Sequence, residues 1–316
     1  MRLATTDLFK HVRTDACHTL SCDELKCLQN VLSGMLKELT RFCEMNGIRY
    51  VIAGGTLLGA KRHGGFIPWD DDIDLCMPRE DFLRFTALLR EQYGKKYLVQ
   101  TPQDTAGYPL LFGRVRMRNT RTGTRDDFFD PDNAGVFIDV FLVENTPDSA
   151  LFRMLHGAGC MAFGMALSLR KFRRDRDALL KLCEGDRTLE KAIRIKAAAG
   201  FVISFAPVDR WRKWADGWNG LCRNGDSVYV AVPAGRKRYF GELYRRNGFF
   251  GTERILFDGT EMACPTDTDG YLAALYGDYM TPPAECDREK HVFLNPFIPE
   301  APVETGEMHP EEVCRE

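Results

Sequence analysis

A nearly unbroken apolar run at residues 136–143 constrains the fold more than any other feature of this sequence. Such a run, without polar alternation, is typical of a central strand whose two faces are both covered. One charge interrupts it, Asp139, and an unpaired carboxylate buried in a strand is strongly unfavourable. Asp139 therefore needs a partner. We predict either a metal ion shared with other carboxylates, or an ion pair with Arg114 or Arg116 on a neighbouring strand at residues 111–117.

Helices and short strands alternate along the rest of the chain, and a helical stretch begins near residue 147. Apolar residues at three- and four-residue steps predict helices at residues 25–42, 82–89, 151–169, 179–183, 192–206 and 271–276. Ser21-Cys22-Asp23-Glu24 predicts a capping box at the start of the first of these helices. Short apolar or alternating segments predict strands at residues 48–53, 97–101, 111–117, 136–143, 228–232 and 254–257.

Composition and charge narrow the class of protein. The chain has 316 residues, 44% hydrophobic and 28% charged, and these average globular values exclude a disordered or low-complexity protein. Its 43 basic and 45 acidic side chains leave a formal net charge of −2. Binding to nucleic acid needs a strong basic excess, so we predict no nucleic-acid partner. A small anionic substrate remains possible, because a few well-placed cationic side chains are enough to bind it.

The cysteines indicate the redox compartment. There are 11 of them, an odd number scattered along the chain, and the first ten residues contain no apolar core of signal-peptide length. We therefore predict free thiols in a reducing cytoplasm rather than a disulfide scaffold. Cys17, His18, Cys22 and Cys27 are a weaker zinc candidate, since their intervals do not fit a zinc knuckle.

Two carboxylates of the run at residues 70–74, Asp72 and Asp74, are candidate metal ligands. If a strand begins at Asp72, both side chains point to one face, about 7 Å apart. Like charges at that distance repel, and a divalent cation between them relieves the repulsion. Hard oxygen ligands select Mg²⁺ or Mn²⁺. The alternative is a solvated acidic turn.

Gly54-Gly55-Thr56 lies where a predicted strand meets a short helix. Glycines at such a turn let backbone amides approach an anion, and a helix N-terminus favours phosphate. Alone this is weak evidence, because turns need glycine anyway. Together with the acidic run and Asp139, however, it supplies the parts that metal-assisted phosphoryl transfer requires.

Three segments in a fixed order resemble the LicD family, and such long motifs are specific. They are Gly54-Gly55-Thr56 with Arg62-His63 and GFIPWDDDID at residues 65–74; FIDVF at residues 137–141; and YGDYM at residues 276–280 with Pro282-Pro283, Arg288 and His291. The resemblance covers about residues 45–145 and 250–292, whereas the helical middle of the chain is not diagnostic.

The resemblance implies a nucleotidyltransferase-like fold of the DNA polymerase β superfamily, which is an α+β fold with a mixed sheet and flanking helices. We divide the chain accordingly into a catalytic core at 1–146, a helical insertion at 147–225, a C-terminal part completing the core at 226–300, and a disordered tail at 301–316. The implied site residues are Gly54, Gly55 and Thr56 for phosphate support and Asp72, Asp74 and Asp139 for metal binding.

The implied activity is transfer of a substituted phosphate, such as phosphocholine, from a CDP-activated donor to a hydroxyl of a cell-surface glycan or its precursor, with release of CMP. CDP-choline is the favoured donor, and lipopolysaccharide or teichoic acid is the candidate acceptor. Mg²⁺ on the three aspartates would clamp the donor diphosphate, and Asp139 or Asp71 would take the hydroxyl proton. Two alternatives remain: a nucleotidyltransferase that releases pyrophosphate, and a catalytically inactive module that binds a glycan or lipid.

Further side chains are candidate substrate contacts. Guanidinium groups match phosphate oxygens, which makes candidates of Arg62, Arg114, Arg116 and Arg288. Imidazoles are candidate acid–base groups or phosphate ligands, at His63 and His291. If choline is the transferred group, an aromatic cage is expected, from Trp69, Tyr276 and Tyr279. For each of these residues the alternative is an ordinary surface or packing role.

The apolar segment at residues 151–169 precedes a basic run at 170–174. A membrane-spanning helix needs about 20 apolar residues without charge, and this segment contains Arg153 and His156. A core helix is therefore favoured over a peripheral membrane contact. The predicted location is cytoplasmic, at the inner face of the membrane in the second case.

Overall fold

The computed structural model describes residues 18–122, 124, 133–183, 186–251, 253–285, 288, 293 and 298–299, and within them the α+β prediction is confirmed. The helices are α1 (Cys22–Met45), α2 (Gly54–His63), α3 (Arg79–Tyr93), α4 (Ala150–Arg174), α5 (Arg176–Leu182), α6 (Arg187–Val202), α7 (Val208–Asn219), α8 (Arg238–Gly241), α9 (Arg246–Phe249) and α10 (Thr268–Tyr276). The strands are β1 (Val51–Ile52), β2 (Asp74–Pro78), β3 (Tyr97–Gln100), β4 (Gly113–Met117), β5 (Thr120–Arg121), β6 (Phe137–Asn145), β7 (Tyr229–Ala231), β8 (Leu243–Arg245), β9 (Arg254–Phe257), β10 (Thr260–Ala263) and β11 (Ile298–Pro299).

Seven strands form the main sheet, in the order β1-β2-β6-β4-β3, with β7 paired to β6 and β8 paired to β7. Strands β2 and β6 run parallel, and the other pairs of this sheet run antiparallel. The prediction of a central strand is confirmed, because β6 lies between β2 and β4 and buries Ile138, Val140 and Leu142. A parallel pair needs a long connection, and here it runs through α3, β3 and β4.

Helix α1 packs its apolar side into the main core. Its N-terminus has the predicted capping box: the Glu24 N–H donates to Ser21 Oγ at 3.2 Å, and the Ser21 N–H donates to Glu24 Oε2 at 2.7 Å. Leu36 and Leu39 are fully buried, and burial of such a side chain stabilises the fold by about 1.5–3 kcal/mol. Helix α1 thereby forms a rigid support beside the sheet.

The helical segment α4–α7 joins the end of β6 to β7 and is tied to the sheet by Arg79. The Arg79 guanidinium donates from Nε to Glu144 Oε2 of β6 at 2.8 Å, and from Nη2 to Asp216 Oδ1 of α7 at 2.9 Å. Glu144 is buried, so this ion cluster fixes α7 against the sheet. The sequence predicts a helix at residues 192–206, but α6 begins at Arg187, where Asp186 accepts from the Thr188 and Leu189 N–H groups, and it ends at Val202. Helix α7 begins directly after Pro207.

The cysteines only partly follow the prediction of free thiols. Seven of the described cysteines are free thiols, but Cys27 forms a disulfide whose partner lies outside the described residues. The prediction is therefore wrong at Cys27, because cysteine spacing in a sequence does not reveal which pair meets in the fold. The tail predicted at residues 301–316 lies outside the described residues.

Candidate active site

Asp74, Asp139 and Arg114 lie side by side on three neighbouring strands. Asp74 of β2 is the register partner of Asp139 of β6, and Arg114 of β4 is its partner on the other side. Register partners point to the same face of a sheet. A row of two carboxylates and one guanidinium therefore crosses the middle of the sheet.

Arg114 is the partner that Asp139 requires. Its Nε donates to Asp139 Oδ1 at 2.7 Å and its Nη2 donates to Oδ2 at 2.9 Å, and both side chains are buried. The Arg114 guanidinium also lies over the Phe137 ring, 3.7 Å from its centroid. Of the two partners that the sequence allows, the structure contains the ion pair. A metal role for Asp139 stays a prediction, since each carboxylate oxygen keeps a second lone pair.

Arg116 is also buried and engaged. Its Nε donates to Gln100 Oε1 at 2.9 Å, and its Nη1 donates to the Gly135 carbonyl at 3.1 Å. Sequence reasoning places Arg114 and Arg116 at an incoming phosphate, but in the structure each holds groups of the protein itself. Their phosphate role stays a prediction.

The acidic run forms a loop in front of β2. Because β2 begins at Asp74, the expectation that Asp72 and Asp74 share one face of a strand is wrong. The Asp70 N–H donates to the Ile67 carbonyl at 2.9 Å, and Gln29 of α1 donates from Nε2 to the Asp70 carbonyl at 2.8 Å. These bonds hold the acidic residues in a turn outside the strand.

Within the described part of the chain, the acidic side chains close enough to share a cation are Asp70, Asp71 and Asp72. One carboxylate oxygen from each lies within 4.8 Å of the other two. Asp71 is buried, and the other two are half-buried. Sequence reasoning identifies Asp71 and Asp72 but misses Asp70, although three consecutive aspartates were the signal for it. Three carboxylates provide the oxygen ligands that Mg²⁺ or Mn²⁺ prefers.

Gly54 and Gly55 let two carboxylates lie against the N-terminus of α2. A Cβ on Gly54 would lie 2.6 Å from Asp74 Oδ2, and a Cβ on Gly55 would lie 2.7 Å from Asp70 Oδ2. Gly54 also has a φ of +52°, in the left-handed region that favours glycine. The partial positive charge at a helix N-terminus stabilises nearby carboxylates. The two glycines therefore bring the acidic loop and the start of β2 together.

Part of the predicted phosphate support already has hydrogen-bond partners in the protein. The Gly54 N–H donates to Tyr271 Oη at 3.0 Å, and Thr56 Oγ1 accepts from the Asp74 N–H at 2.9 Å. Thr56 is buried. Gly54 and Thr56 therefore position Tyr271 and Asp74, and phosphate support by Gly54, Gly55 and Thr56 stays a prediction.

Tyr276 of α10 lies beside the acidic residues. Burial raises the pKa of its hydroxyl, the nearby Arg236 lowers it, and the negative charges of Asp70, Asp72 and Asp74 raise it further. The Arg236 guanidinium lies over the Tyr276 ring, 5.2 Å from its centroid. Helix α10 thus brings an aromatic hydroxyl, with a cation over its ring, to the acidic loop.

Two predicted arginines, Arg62 and Arg288, lie over the ring of Trp69. The guanidinium carbons of Arg288 and Arg62 lie 4.1 and 5.9 Å from its ring centroid. Arg62 also donates from Nη1 to the Tyr279 carbonyl at 3.0 Å and from Nε to His63 Nε2 at 2.9 Å. Burial and the charge of Arg62 lower the pKa of His63. The structure therefore brings these five predicted residues together.

The three rings predicted as a choline cage already have partners. A guanidinium lies over Trp69 and another over Tyr276, and the Tyr279 hydroxyl donates to Asp269 Oδ1 at 2.6 Å. A ring that already attracts one cation attracts a second less strongly, so the cage stays a prediction. Arg288 differs from the other predicted arginines, because its Nε is buried and has no hydrogen-bond partner among the described residues, and its phosphate role stays a prediction. His291 lies outside the described residues.

Sequence reasoning misses two polar side chains near Tyr271: Glu242, which is buried, and Tyr244, which is half-buried with a buried hydroxyl. Tyr244 packs against Tyr271, with ring centroids 5.2 Å apart, and its hydroxyl has no hydrogen-bond partner in the part of the chain that is described. Glu242 accepts from the Lys237 N–H at 2.7 Å, and burial raises its pKa to about 7. No motif marks either residue, because only the fold brings β8 close to α10.

Comparison with known proteins identifies the class to which this site belongs. Residues 47–146, which contain the acidic loop, both glycines, Arg114 and Asp139, match the LicD/FKTN/FKRP nucleotidyltransferase domain. The resemblance predicted from the sequence is therefore confirmed. Residues 47–146 are therefore similar to a nucleotidyltransferase domain of this family.

One relative extends the similarity to nearly the whole chain, and two others match shorter parts. The lipopolysaccharide cholinephosphotransferase LicD of Haemophilus influenzae is 24% identical over 294 residues, which are 89% of this chain and 98% of that protein. Human ribitol 5-phosphate transferase FKRP is 50% identical over 50 residues, 15% of this chain and 10% of that protein. Mannosyltransferase regulator 4 of Saccharomyces cerevisiae is 27% identical over 113 residues, 34% of this chain and 9% of that protein.

Proposed function

We propose that this protein transfers a substituted phosphate from a CDP-activated donor to a hydroxyl of a cell-surface glycan or its precursor, and releases CMP. One observation carries the proposal: an acidic loop held against a helix N-terminus lies in a chain that is similar, over nearly its whole length, to a lipopolysaccharide cholinephosphotransferase. Phosphocholine is therefore the favoured group, CDP-choline the favoured donor, and a lipopolysaccharide-type glycan the favoured acceptor.

Asp70, Asp71 and Asp72, with Asp74 beside them, are the residues that would hold Mg²⁺ or Mn²⁺. The donor set fits such an ion, because the three carboxylates converge and the glycines at the start of α2 leave the space that a Cβ would fill. When bound, the ion offsets the negative charge of a diphosphate and of the leaving phosphate.

In the proposed reaction, the acceptor oxygen forms a bond to the distal phosphorus while the bridging P–O bond to CMP breaks. The hydroxyl proton goes to a carboxylate. Asp71 suits this role better than Asp139, because protonation of Asp139 would break its buried ion pair with Arg114. Arg288, whose Nε lacks a partner among the described residues, would bind a donor phosphate oxygen.

The product released distinguishes the proposed reaction from its alternatives. The protein is incubated with Mg²⁺ and a lipopolysaccharide acceptor, and with either CDP-choline or CTP. Acceptor-dependent release of CMP supports the proposal. Release of pyrophosphate from CTP identifies nucleotidyl transfer instead. If no CMP is released from any CDP-linked donor, the protein is a binding module. The name of the yeast relative, a regulator, favours this alternative.

Substitutions in the acidic group test the metal role. Asp72→Asn and Asp74→Asn should each lower kcat by at least about 100-fold, because each removes a charge that faces the reacting diphosphate. Asp177→Asn is the matched control, since its side chain is 92% exposed on α5. Unchanged turnover in both site variants would contradict the metal mechanism.

The cytoplasm is the location we propose. Free thiols, found at seven of the described cysteines, are typical of a reducing compartment, whereas the disulfide at Cys27 is not. Cell fractionation tests the location, and titration of thiols in the isolated protein, with and without reductant, shows whether the Cys27 disulfide exists there. Recovery in an extracytoplasmic fraction would contradict the proposed location.

A further inference from the structure

Helix α4 exposes an apolar stripe to solvent. Leu151, Met154, Leu155 and Met165 are 59, 54, 52 and 40% exposed, and they recur at the spacing of one helix face. Among the described helices, this one is long and apolar enough to cross a membrane, with a mean hydropathy of 1.3 in its most apolar window. An exposed apolar surface of this kind usually marks a site of interaction.

The opposite side of α4 is packed against α7. His156 donates from Nε2 to the Trp218 carbonyl at 2.9 Å, and Trp218 donates from Nε1 to the His156 carbonyl at 3.0 Å. Cys160 and Leu167 are buried on the same side. Lipid could surround α4 completely only if these contacts broke. The exposed stripe is therefore available to something that lies alongside the protein, not to a bilayer that the helix spans.

The end of α6 adds further apolar side chains beside α4. Phe201 and Val202 are 64 and 77% exposed, and Phe205 is 72% exposed. Helix α6 touches the C-terminal part of α4 here, because a Cβ on Gly200 would lie 2.2 Å from the Leu169 carbonyl oxygen. These aromatic and aliphatic side chains therefore lie next to the basic run that ends α4.

Three arginines of that basic run line a surface groove of about 570 Å³ together with Phe201. They are Arg170, Arg173 and Arg174, and the guanidinium of Arg173 lies over the Phe201 ring, 5.4 Å from its centroid. Asp209 lies in that lining and Asp175 pairs with Arg174 at 2.7 Å, so the three arginines exceed these two carboxylates by one positive charge. Positive charge and the exposed Phe201 ring thus occur in one groove, at the C-terminal end of the helix that carries the apolar stripe.

We propose that this docking surface, made of the α4 stripe, the end of α6 and the arginines at residues 170–174, binds an anionic lipid bilayer. Apolar side chains would enter the boundary between headgroups and acyl chains, while the guanidinium groups would bind lipid phosphates. A second copy of the chain would bring the same positive charges to the contact, where they would repel. The inference does not depend on the proposed transferase activity.

Vesicle sedimentation with the full chain tests the docking surface. The protein should sediment with phosphatidylcholine vesicles that contain phosphatidylglycerol, and remain in the supernatant with pure phosphatidylcholine or at high salt. Removal of both charges in Arg173→Gln/Arg174→Gln should weaken the partition about fivefold per arginine. Phe201→Ser/Val202→Ser should weaken it at least as much, because two exposed apolar side chains leave the interface.

The control is Arg41→Gln/Met45→Ser, which removes one exposed cation and one exposed apolar side chain from α1. It should bind vesicles like the unchanged protein, and circular dichroism should show equal folding of all variants. The proposal fails if the protein ignores anionic vesicles or if the docking-surface variants bind like the control. It also fails if light scattering shows a dimer that Phe201→Ser/Val202→Ser dissociates, because the surface would then join two copies.

Discussion

The main sheet and the helical segment α4–α7 depart in opposite ways from the usual arrangement of buried apolar and exposed charged side chains. In the sheet, charged residues such as Arg114 and Asp139 are buried and paired. In the helical segment, large apolar residues such as Leu151 and Val202 are exposed. Burial of charge is costly unless the charges are paired, and exposure of apolar surface is costly unless something covers it. The buried charges of the sheet therefore indicate a functional site, and the exposed apolar side chains of the helical segment indicate a binding surface.

The largest expected effect concerns the buried ion pair of the sheet. Arg114→Ala should lower the free energy of unfolding by about 4 kcal/mol, because it leaves Asp139 buried without its cation. Urea unfolding measures this change. Arg194→Ala, which breaks the exposed pair with Glu190 on α6, should cost under about 0.5 kcal/mol. If both variants lost the same free energy of unfolding, the buried ion pair of the sheet would be no more important to stability than the exposed pair of α6.

A pH dependence should also originate at the sheet. The pKa of Glu242 is about 7 in the folded protein, against 4.5 for an ordinary glutamate, because burial disfavours its charge. The folded state therefore holds this proton more tightly than the unfolded state does. The resulting stability, about 3 kcal/mol, is fully present below about pH 4.5 and is lost as the pH rises through 7.

Glu242→Gln should remove this pH dependence and stabilise the protein at pH 8, since the amide keeps the bond from the Lys237 N–H without a charge. The free energy of unfolding at pH 5 and pH 8, in both proteins, measures the effect. Glu253→Gln is the control, because Glu253 is exposed. If the Glu242→Gln protein retained the full pH dependence, another group would be its source.

The close approach of glycine and carboxylate should matter for activity more than for stability. Gly55→Ala would displace the Asp70 carboxylate, which lies 2.7 Å from the position of the new Cβ. Misplacement of a reacting group by about 1 Å typically costs about 100-fold in rate, so kcat/KM should fall by about that factor. Binding of Mn²⁺ should weaken in parallel. Full activity in Gly55→Ala would exclude Asp70 from the site.

The smallest effect is expected in the helical segment. A Cβ on Gly164 of α4 would meet no atom within 4 Å, so Gly164→Ala should raise the free energy of unfolding by about 0.5–1 kcal/mol through its helix propensity. Transferase activity should not change, which makes this variant the matched control for Gly55→Ala. A loss of stability would show that α4 is packed more tightly at this position than the structure indicates.

Local patterns in the sequence were sufficient for several elements. The apolar run around Asp139 identified β6, and the Ser21–Glu24 capping box identified the start of α1. Both signals lie within a few residues of the feature that they predict, so no knowledge of the fold is needed. The motif at residues 54–74 likewise contains the acidic loop, although the metal ligands predicted from it, Asp72 and Asp74, leave out Asp70.

Contacts between distant residues were not predictable in the same way. The sequence left two partners open for Asp139, and only the register of β4 against β6 selects Arg114. Gln29 of α1 donates to the Asp70 carbonyl of the acidic loop in front of β2, and a backbone acceptor 41 positions away has no sequence signature. Glu242 approaches the site only because β7 and β8 attach to the end of β6.

The hydrogen bond from the Gly54 N–H to Tyr271 joins residues that are 217 positions apart. During synthesis from the N-terminus, the acidic loop leaves the ribosome long before Tyr271 is made. The first turn of α2 therefore stays incomplete until most of the chain exists. The acidic residues are therefore synthesised well before the hydrogen bond from Gly54 to Tyr271 can form. A truncated chain that ends before α10 cannot form this bond.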